Sequence, residues 1–167
     1  ANGKLFDGGL EIPKNLGKKS IGLSQFWIAG KNNGNLHVAA QLNNNQHDFW
    51  AGPLDTATIQ AADSTAWNTI YKVTRQEIER HKTNYNKQGY VVPDGIKNWR
   101  GSSPTDKGFA RVLAPFIDFN TNKEYEPELG EYPFIRGDEA AYFIVNDNAN
   151  THFGSGGLPL GVEVHGM

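Results

Sequence analysis

Phe26-Trp27-Ile28-Ala29-Gly30-Lys31-Asn32-Asn33-Gly34-Asn35-Leu36-His37-Val38-Ala39-Ala40-Gln41-Leu42 carries the pattern that decides the fold class. The run from Leu23 to Ile28 is apolar and aromatic and reads as a strand. Asn32-Asn33-Gly34 follows it. Asn-Gly between apolar runs is the strongest short-range hairpin signal, because both residues tolerate positive φ. The return run alternates. Leu36, Val38, Ala40 and Leu42 share one face, and His37, Ala39 and Gln41 the other, which is the period of a strand. Asn43-Asn44-Asn45 ends it.

The flanking segments read the same way. Ala1 to Leu10 is Gly-rich and turn-like, and Asp48-Phe49-Trp50-Ala51-Gly52-Pro53-Leu54 is an aromatic turn before a small, polar, exposed loop. Trp67 to Val73 reads as a strand. The period then changes: Thr74-Arg75-Gln76-Glu77 is a capping box, with Val73 and Ile78 at the hydrophobic-staple positions. A short surface helix follows near 75–85, with only Ile78 and Tyr85 as its apolar stripe. Gly89 to Ser103 reads as loop, and Phe109 to Ile117 as a strand. Ala140 to Val145 is a continuous apolar run, as in a strand buried on both faces. Leu160, Val162 and Val164 form a last alternating strand, with Glu163 and His165 on its other face.

The chain has 167 residues, a net charge of −2, 19 Gly and no Cys. That length supports a real core. The dispersed Lys and Arg lack the basic stripe of a nucleic-acid binder. No apolar run approaches membrane-spanning length, and the first residues lack a charged-then-apolar leader. Without cysteine, disulfides, thiolate metal sites and cysteine nucleophiles are excluded. The expected architecture is mainly β, an antiparallel sandwich of jelly-roll type with one short surface helix. Residues 1–167 read as a single β-rich module that is a piece of a longer protein.

One stretch carries chemistry. From Phe116-Ile117-Asp118-Phe119-Asn120-Thr121-Asn122-Lys123-Glu124-Tyr125-Glu126, oxygen-bearing side chains recur at Asp118, Asn120, Asn122, Glu124 and Glu126. Ca²⁺ takes six to eight such oxygens, and alternate spacing lets a short loop wrap it. Glu131 or Asp138 is placed to close the shell, and Glu124 to give its backbone carbonyl. A helix-loop-helix calcium site has Gly at loop position 6 and Glu at 12. Counted from Asp118, these positions hold Lys123 and Leu129. A solvated acidic turn built from Asn and Asp turn chemistry is the competing reading.

Other groups say less. His37, His47, His81, His152 and His165 fall in no HExxH or nucleophile-elbow pattern. Glu163, His165 and His152 could form a small metal or acid–base site, or a structural pair. Trp27, Trp50, Trp67 and Trp99, with Phe26 and Phe49, could stack on sugar rings in a carbohydrate-binding module. Large aromatics also fill cores.

The order of several segments resembles the large secreted surface proteins of Bacteroidetes that the type IX secretion system exports. The segments are Ser24-Gln25-Phe26-Trp27-Ile28-Ala29-Gly30, Leu113-Ala114-Pro115-Phe116-Ile117-Asp118-Phe119-Asn120, Gly130-Glu131-Tyr132-Pro133-Phe134-Ile135-Arg136-Gly137-Asp138, and Pro159-Leu160-Gly161-Val162-Glu163-Val164-His165. They are similar to the family's LWIGG, LAPFVDVN, GDYPxIKGD and PIGLEIH. The chain departs from the family at Asn122 and Glu126, which replace Asp, at Lys123, which replaces Gly, and at Glu131, which replaces the Asp of GDYP. Asp55-Thr56-Ala57 and Asp63-Ser64-Thr65 resemble the short O-glycan acceptor pattern of exported Bacteroidetes proteins, at Thr56 and Ser64.

The resemblance implies an extracellular, cell-surface location and a structural, adhesive or filament role without catalysis. The partners it implies are the remainder of the same protein or other surface-assembly subunits; the aromatic residues add glycans. Composition and the lack of a long apolar run argue against nucleic acid and a membrane span, and the oxygen spacing makes calcium the one expected cofactor. The alternative is a carbohydrate-binding module or a glycan-processing domain.

Overall fold

A computed structural model describes residues 10–13, 15–21, 24–42, 46–104 and 106–167. The expected Gly-rich turn up to Gly9, Leu23 and Asn43–Asn45 lie outside these residues. The described chain is mainly β, at 31% strand against 13% helix, and every pair of named strands with a stated register is antiparallel. It forms two compact units. Unit one comprises 1–54, 59–68 and 145–164; unit two comprises 55–58, 69–144 and 165–167.

In unit one, β1 (Leu10–Glu11) pairs with β2 (Lys19–Ile21). The hairpin forms as the sequence predicts. β3 (Trp27–Asn32) pairs with β4 (Asn35–Ala40) in continuous register from Trp27↔Ala40 to Asn32↔Asn35. Asn33 and Gly34 turn it at φ 49° and 81°, both positive as the tight primed turn requires. Burial along β4 rises from its tip to its base. Leu36 at the tip is 63% exposed, whereas Ala39, Ala40 and Gln41 at the base are buried whatever their face. At the base the chain turns back along the strand edge, where His47 bridges to Gln41 and Asp48 N–H donates to Ala40 O. β5 (Trp50–Ala51) pairs with the last residues of β9 (Glu139–Asn146), Trp50↔Asn146 and Ala51↔Val145. Phe49, Ala51, Leu54, Trp67 and Val145 are buried here.

In unit two, β6 (Tyr71–Thr74) pairs with the start of β9, Tyr71↔Tyr142 through Thr74↔Glu139. The predicted strand from Trp67 begins only at Tyr71, because Trp67 instead closes a 3₁₀ turn at Ser64–Ala66. The capping box is present. Glu77 N–H donates to the Thr74 hydroxyl at 3.2 Å, and Thr74 N–H donates to the Glu77 carboxylate at 2.8 Å. It starts α1 (Arg75–Asn84), whose staple residues Val73 and Ile78 are both buried. The buried face also includes His81, one turn beyond Ile78.

The segment expected to be loop contains a second helix, α2 (Asp94–Lys97). Its Gly95 is required by close approach, since a Cβ there would lie 2.8 Å from Lys72 O and 2.9 Å from the Glu77 carboxylate. The predicted strand 109–117 shortens to β7 (Phe116–Ile117). The residues before it bond the 100–103 segment instead: Leu113 N–H donates to Gly101 O and Ala114 N–H to Arg100 O. β8 (Tyr132–Pro133) pairs with β7. The core holds Tyr71, Val73, Ile78, Ile96, Trp99 and Tyr142, with the Trp99 and Tyr142 rings 5.9 Å apart.

β10 (Glu163–Gly166), a further partner of β9, starts later than the predicted strand from Leu160. The amides of Leu160 and Val162 are taken by the buried Asp147 carboxylate at 2.6 and 2.8 Å instead of by a neighbouring strand.

Candidate metal-binding loop

β7 and β8 clamp the acidic loop. Phe116↔Pro133 and Ile117↔Tyr132 pair its two ends, and Phe134 N–H donates to Pro115 O at 3.1 Å. Residues 118–131 therefore form a closed loop between two antiparallel strands.

A brace holds its centre. Glu131 is buried, and its carboxylate accepts Phe119 N–H at 3.1 Å on one oxygen and Glu126 N–H at 2.8 Å on the other. Each oxygen holds one backbone amide, so Glu131 braces the loop from within. Tyr125 fixes the outside: its amide donates to Ser103's neighbour Ser102 at Oγ (2.8 Å), and its hydroxyl donates to Ile96 O at 2.8 Å. Burial, aided by the charges of Glu131 and Glu128, pushes the Tyr125 hydroxyl well above its ordinary pKa. It remains a donor at any physiological pH.

Inside the loop, side-chain oxygens hold successive amides. Asp118 Oδ2 accepts Lys123 N–H at 2.9 Å, Asn120 Oδ1 accepts Asn122 N–H at 3.1 Å, and Asn122 Oδ1 accepts Glu124 N–H at 2.7 Å. The Nδ2 groups of Asn120 and Asn122 both donate to Glu126 Oε2, at 2.9 and 2.8 Å. Four of the predicted residues, Asp118, Asn120, Asn122 and Glu126, are thus brought together. Thr121 and Lys123 take left-handed φ values of 60° and 64°. Lys123 adopts the conformation for which Gly is the usual residue at this point.

Two predicted residues go elsewhere. The Glu124 side chain pairs with Arg111 at 2.9 Å, which leaves its carbonyl as the group it could offer. Asp138 lies in the turn before β9; its side chain is fully exposed and faces Arg75 Nε at 3.5 Å. It does not join the loop.

Asp118 Oδ1 is the atom that bears on a cation. It is buried and has no hydrogen-bond partner. A buried carboxylate oxygen without a donor is costly, and a cation is one group that would satisfy it. Each amide oxygen of Asn120 and Asn122 has a second lone pair beyond its backbone bond. Carboxylate and amide oxygens of this kind are the ligands that a hard divalent ion takes. Among the described residues, no three His, Asp or Glu side chains converge as a ready-made metal cage. The loop's donors are largely amides and carbonyls, which calcium accepts and zinc does not favour.

The other predicted groups are not assembled. Glu163 accepts Leu54 N–H at 2.7 Å, while His165 Nδ1 meets the Tyr142 hydroxyl at 2.8 Å. His152 is buried, with Nδ1 2.7 Å from Val38 O and Nε2 2.6 Å from Asp147 O. Asp48 lies beside it, with 3.8 Å between Oδ2 and Nδ1. Burial opposes the Asp48 charge, but the Ser155 hydroxyl and the amides of Ala40, Gly154 and Ser155 outweigh it and hold the carboxyl below its ordinary pKa. These groups fasten loops. Of the indoles, Trp67 and Trp99 are buried, Trp50 is half-buried and Trp27 is exposed, so there is no row of surface indoles. Thr56 is exposed, with its hydroxyl donating to Gly108 O at 2.9 Å, and Ser64 is half-buried in the 3₁₀ turn.

Sequence reasoning missed the buried acceptors Asp48 and Asp147, and the bracing role of Glu131, which it placed as a closing ligand. Their only signal was an acidic residue beside a Gly-rich or aromatic turn. No family model, no curated protein and no solved structure matches the chain. Among the described residues, no helix is long and apolar enough to cross a membrane.

Proposed function

We propose that this chain is a non-catalytic, extracellular surface module of structural, adhesive or filament type, and that the 118–131 loop binds Ca²⁺. The buried, unpartnered Asp118 Oδ1 carries this reading. The side chains of Asp118, Asn120, Asn122 and Glu126, with the Glu124 carbonyl, would hold the ion. Bound calcium would supply positive charge where carboxylates otherwise repel.

This chain's own residues do the rest. Glu131 fixes the two amides that set the loop's width, β7 and β8 fix its ends, and Lys123 turns the backbone. Ordering of such a loop by calcium suits the extracellular setting, where the ion is abundant enough for weak sites of about 10⁻⁴–10⁻³ M. The resemblance to type IX-exported proteins supports the surface role, and partners would be the rest of the same protein or neighbouring surface subunits.

Calorimetric titration of Ca²⁺ into EDTA-stripped protein tests the binding. One site is expected, lost in Asp118→Ala. Antibody labelling of intact source cells tests the location, and an exclusively internal signal would overturn it.

A further inference from the structure

Gln46, His47, Trp50, Asn150 and Phe153 line an open cleft of about 410 Å³. All five belong to unit one. The volume lies within the range of about 300–1,000 Å³ typical of small-molecule sites, which combine aromatic walls with a few polar groups.

The cleft's parts are fixed by the fold. Trp50 opens β5 and pairs with Asn146 in the register of β9. Its indole packs against two imidazoles, that of His47 edge-on at 5.5 Å and 63°, and that of His152 at 6.0 Å. His47 is held by its backbone bridge to Gln41. The Asn150 amide is oriented by Thr151 N–H, which donates to its Oδ1 at 2.8 Å. Phe153 is 65% exposed, so a benzyl ring stands in water beside a half-buried indole. Covering such apolar area is favourable.

The lining selects the ligand's chemistry. Among the described residues, the lining carries no Asp, Glu, Lys or Arg, so no carboxylate, ammonium or guanidinium is there to pair with a charged ligand. It offers flat apolar ring faces together with neutral amides that both donate and accept. The matching ligand is neutral, with one flat C–H face and a rim of hydroxyls. We propose that this cleft binds an uncharged pyranose ring, its C–H face against Trp50 or Phe153 and its hydroxyls at Gln46 and Asn150. The cleft shares no residue with the 118–131 loop, so the site does not depend on calcium binding.

Saturation-transfer NMR tests it. The probes are methyl β-D-glucopyranoside, methyl β-D-galactopyranoside, methyl α-D-mannopyranoside and methyl N-acetyl-β-D-glucosaminide, run in EDTA and again in calcium. Transfer to the ring C–H protons of at least one probe is expected in both. Phe153→Ala should weaken it about tenfold, the scale of one lost aromatic contact. The ring is exposed, so this variant keeps its fold, whereas Trp50→Ala removes part of the packing. Trp27→Ala, an exposed indole outside the cleft, should change nothing. No transfer to any of the four probes, equal affinity in Phe153→Ala, or an equal loss in Trp27→Ala would overturn the proposal.

Discussion

The carboxylate of Asp118 holds the amide of Lys123 at 2.9 Å, and Lys123 accepts a left-handed backbone, φ 64°, in doing so. One side chain thereby closes the turn from Asp118 to Lys123 at the head of the acidic loop. The closure leaves the other oxygen of Asp118 buried and without a partner. Strain at Lys123 and the orphan at Asp118 belong to the same turn.

Lys123→Gly should relieve that strain. A non-Gly residue in this region costs about 1–2 kcal/mol, and 1 kcal/mol corresponds to about 2–4 °C in a chain of this size. Calorimetry in EDTA should show a higher Tm. Under the calcium proposal, affinity for the ion should also rise, because the substitution removes a positive charge from the loop. An unchanged Tm would mean that Lys123 is not strained.

Glu131→Gln tests the brace. The amide keeps one acceptor but turns an N–H₂ group towards the Phe119 or Glu126 N–H. The expected loss is about 1–3 kcal/mol, the cost of a buried donor left unpaired, read as a lower urea midpoint with unchanged slope.

Asp48→Ala should be more damaging. It removes the acceptor of the Ala40, Gly154 and Ser155 amides and the carboxylate beside His152. Each buried amide left without an acceptor costs about 1–3 kcal/mol, and here three lose theirs at once. Circular dichroism and urea unfolding at neutral pH would measure the loss.

Stability should fall on mild acidification through His81. Burial lowers its pKa below the ordinary 6.5, against the raising effect of the Pro127 and Glu131 backbones and of Glu128. The unfolded chain therefore binds the proton first. The contribution of the neutral folded ring is present above pH 6.5 and is lost as pH falls through and below it. Urea midpoints at pH 7.5 and 5.5 should differ, and His81→Leu should flatten the difference. Asp48, with its pKa lowered from 3.8, acts in a separate window below about pH 4.

Features built from neighbours in the chain were legible. The Asn33–Gly34 turn and the Thr74–Glu77 capping box depend on residues within three positions of each other, and both form. So was the loop's core of Asp118, Asn120, Asn122 and Glu126, because alternate spacing converges in a tight turn. What sequence could not show is which amides a carboxylate will catch across the fold. Asp48 accepts from Gly154, a separation of 106 residues, and no periodicity records that. Asp147 moves the start of the last strand by the same means. Asp138 was misplaced for a related reason: β8 and its following turn carry it past the loop to Arg75. α2 was missed because one helical turn after Pro93 has no apolar period to read.

The central claim is that calcium completes the loop, and a pair of thermal melts tests it most directly, one in excess EDTA and one in millimolar Ca²⁺. The account predicts a clear rise in Tm with calcium that disappears in Asp118→Ala. Identical midpoints for the native chain in EDTA and in calcium would contradict it.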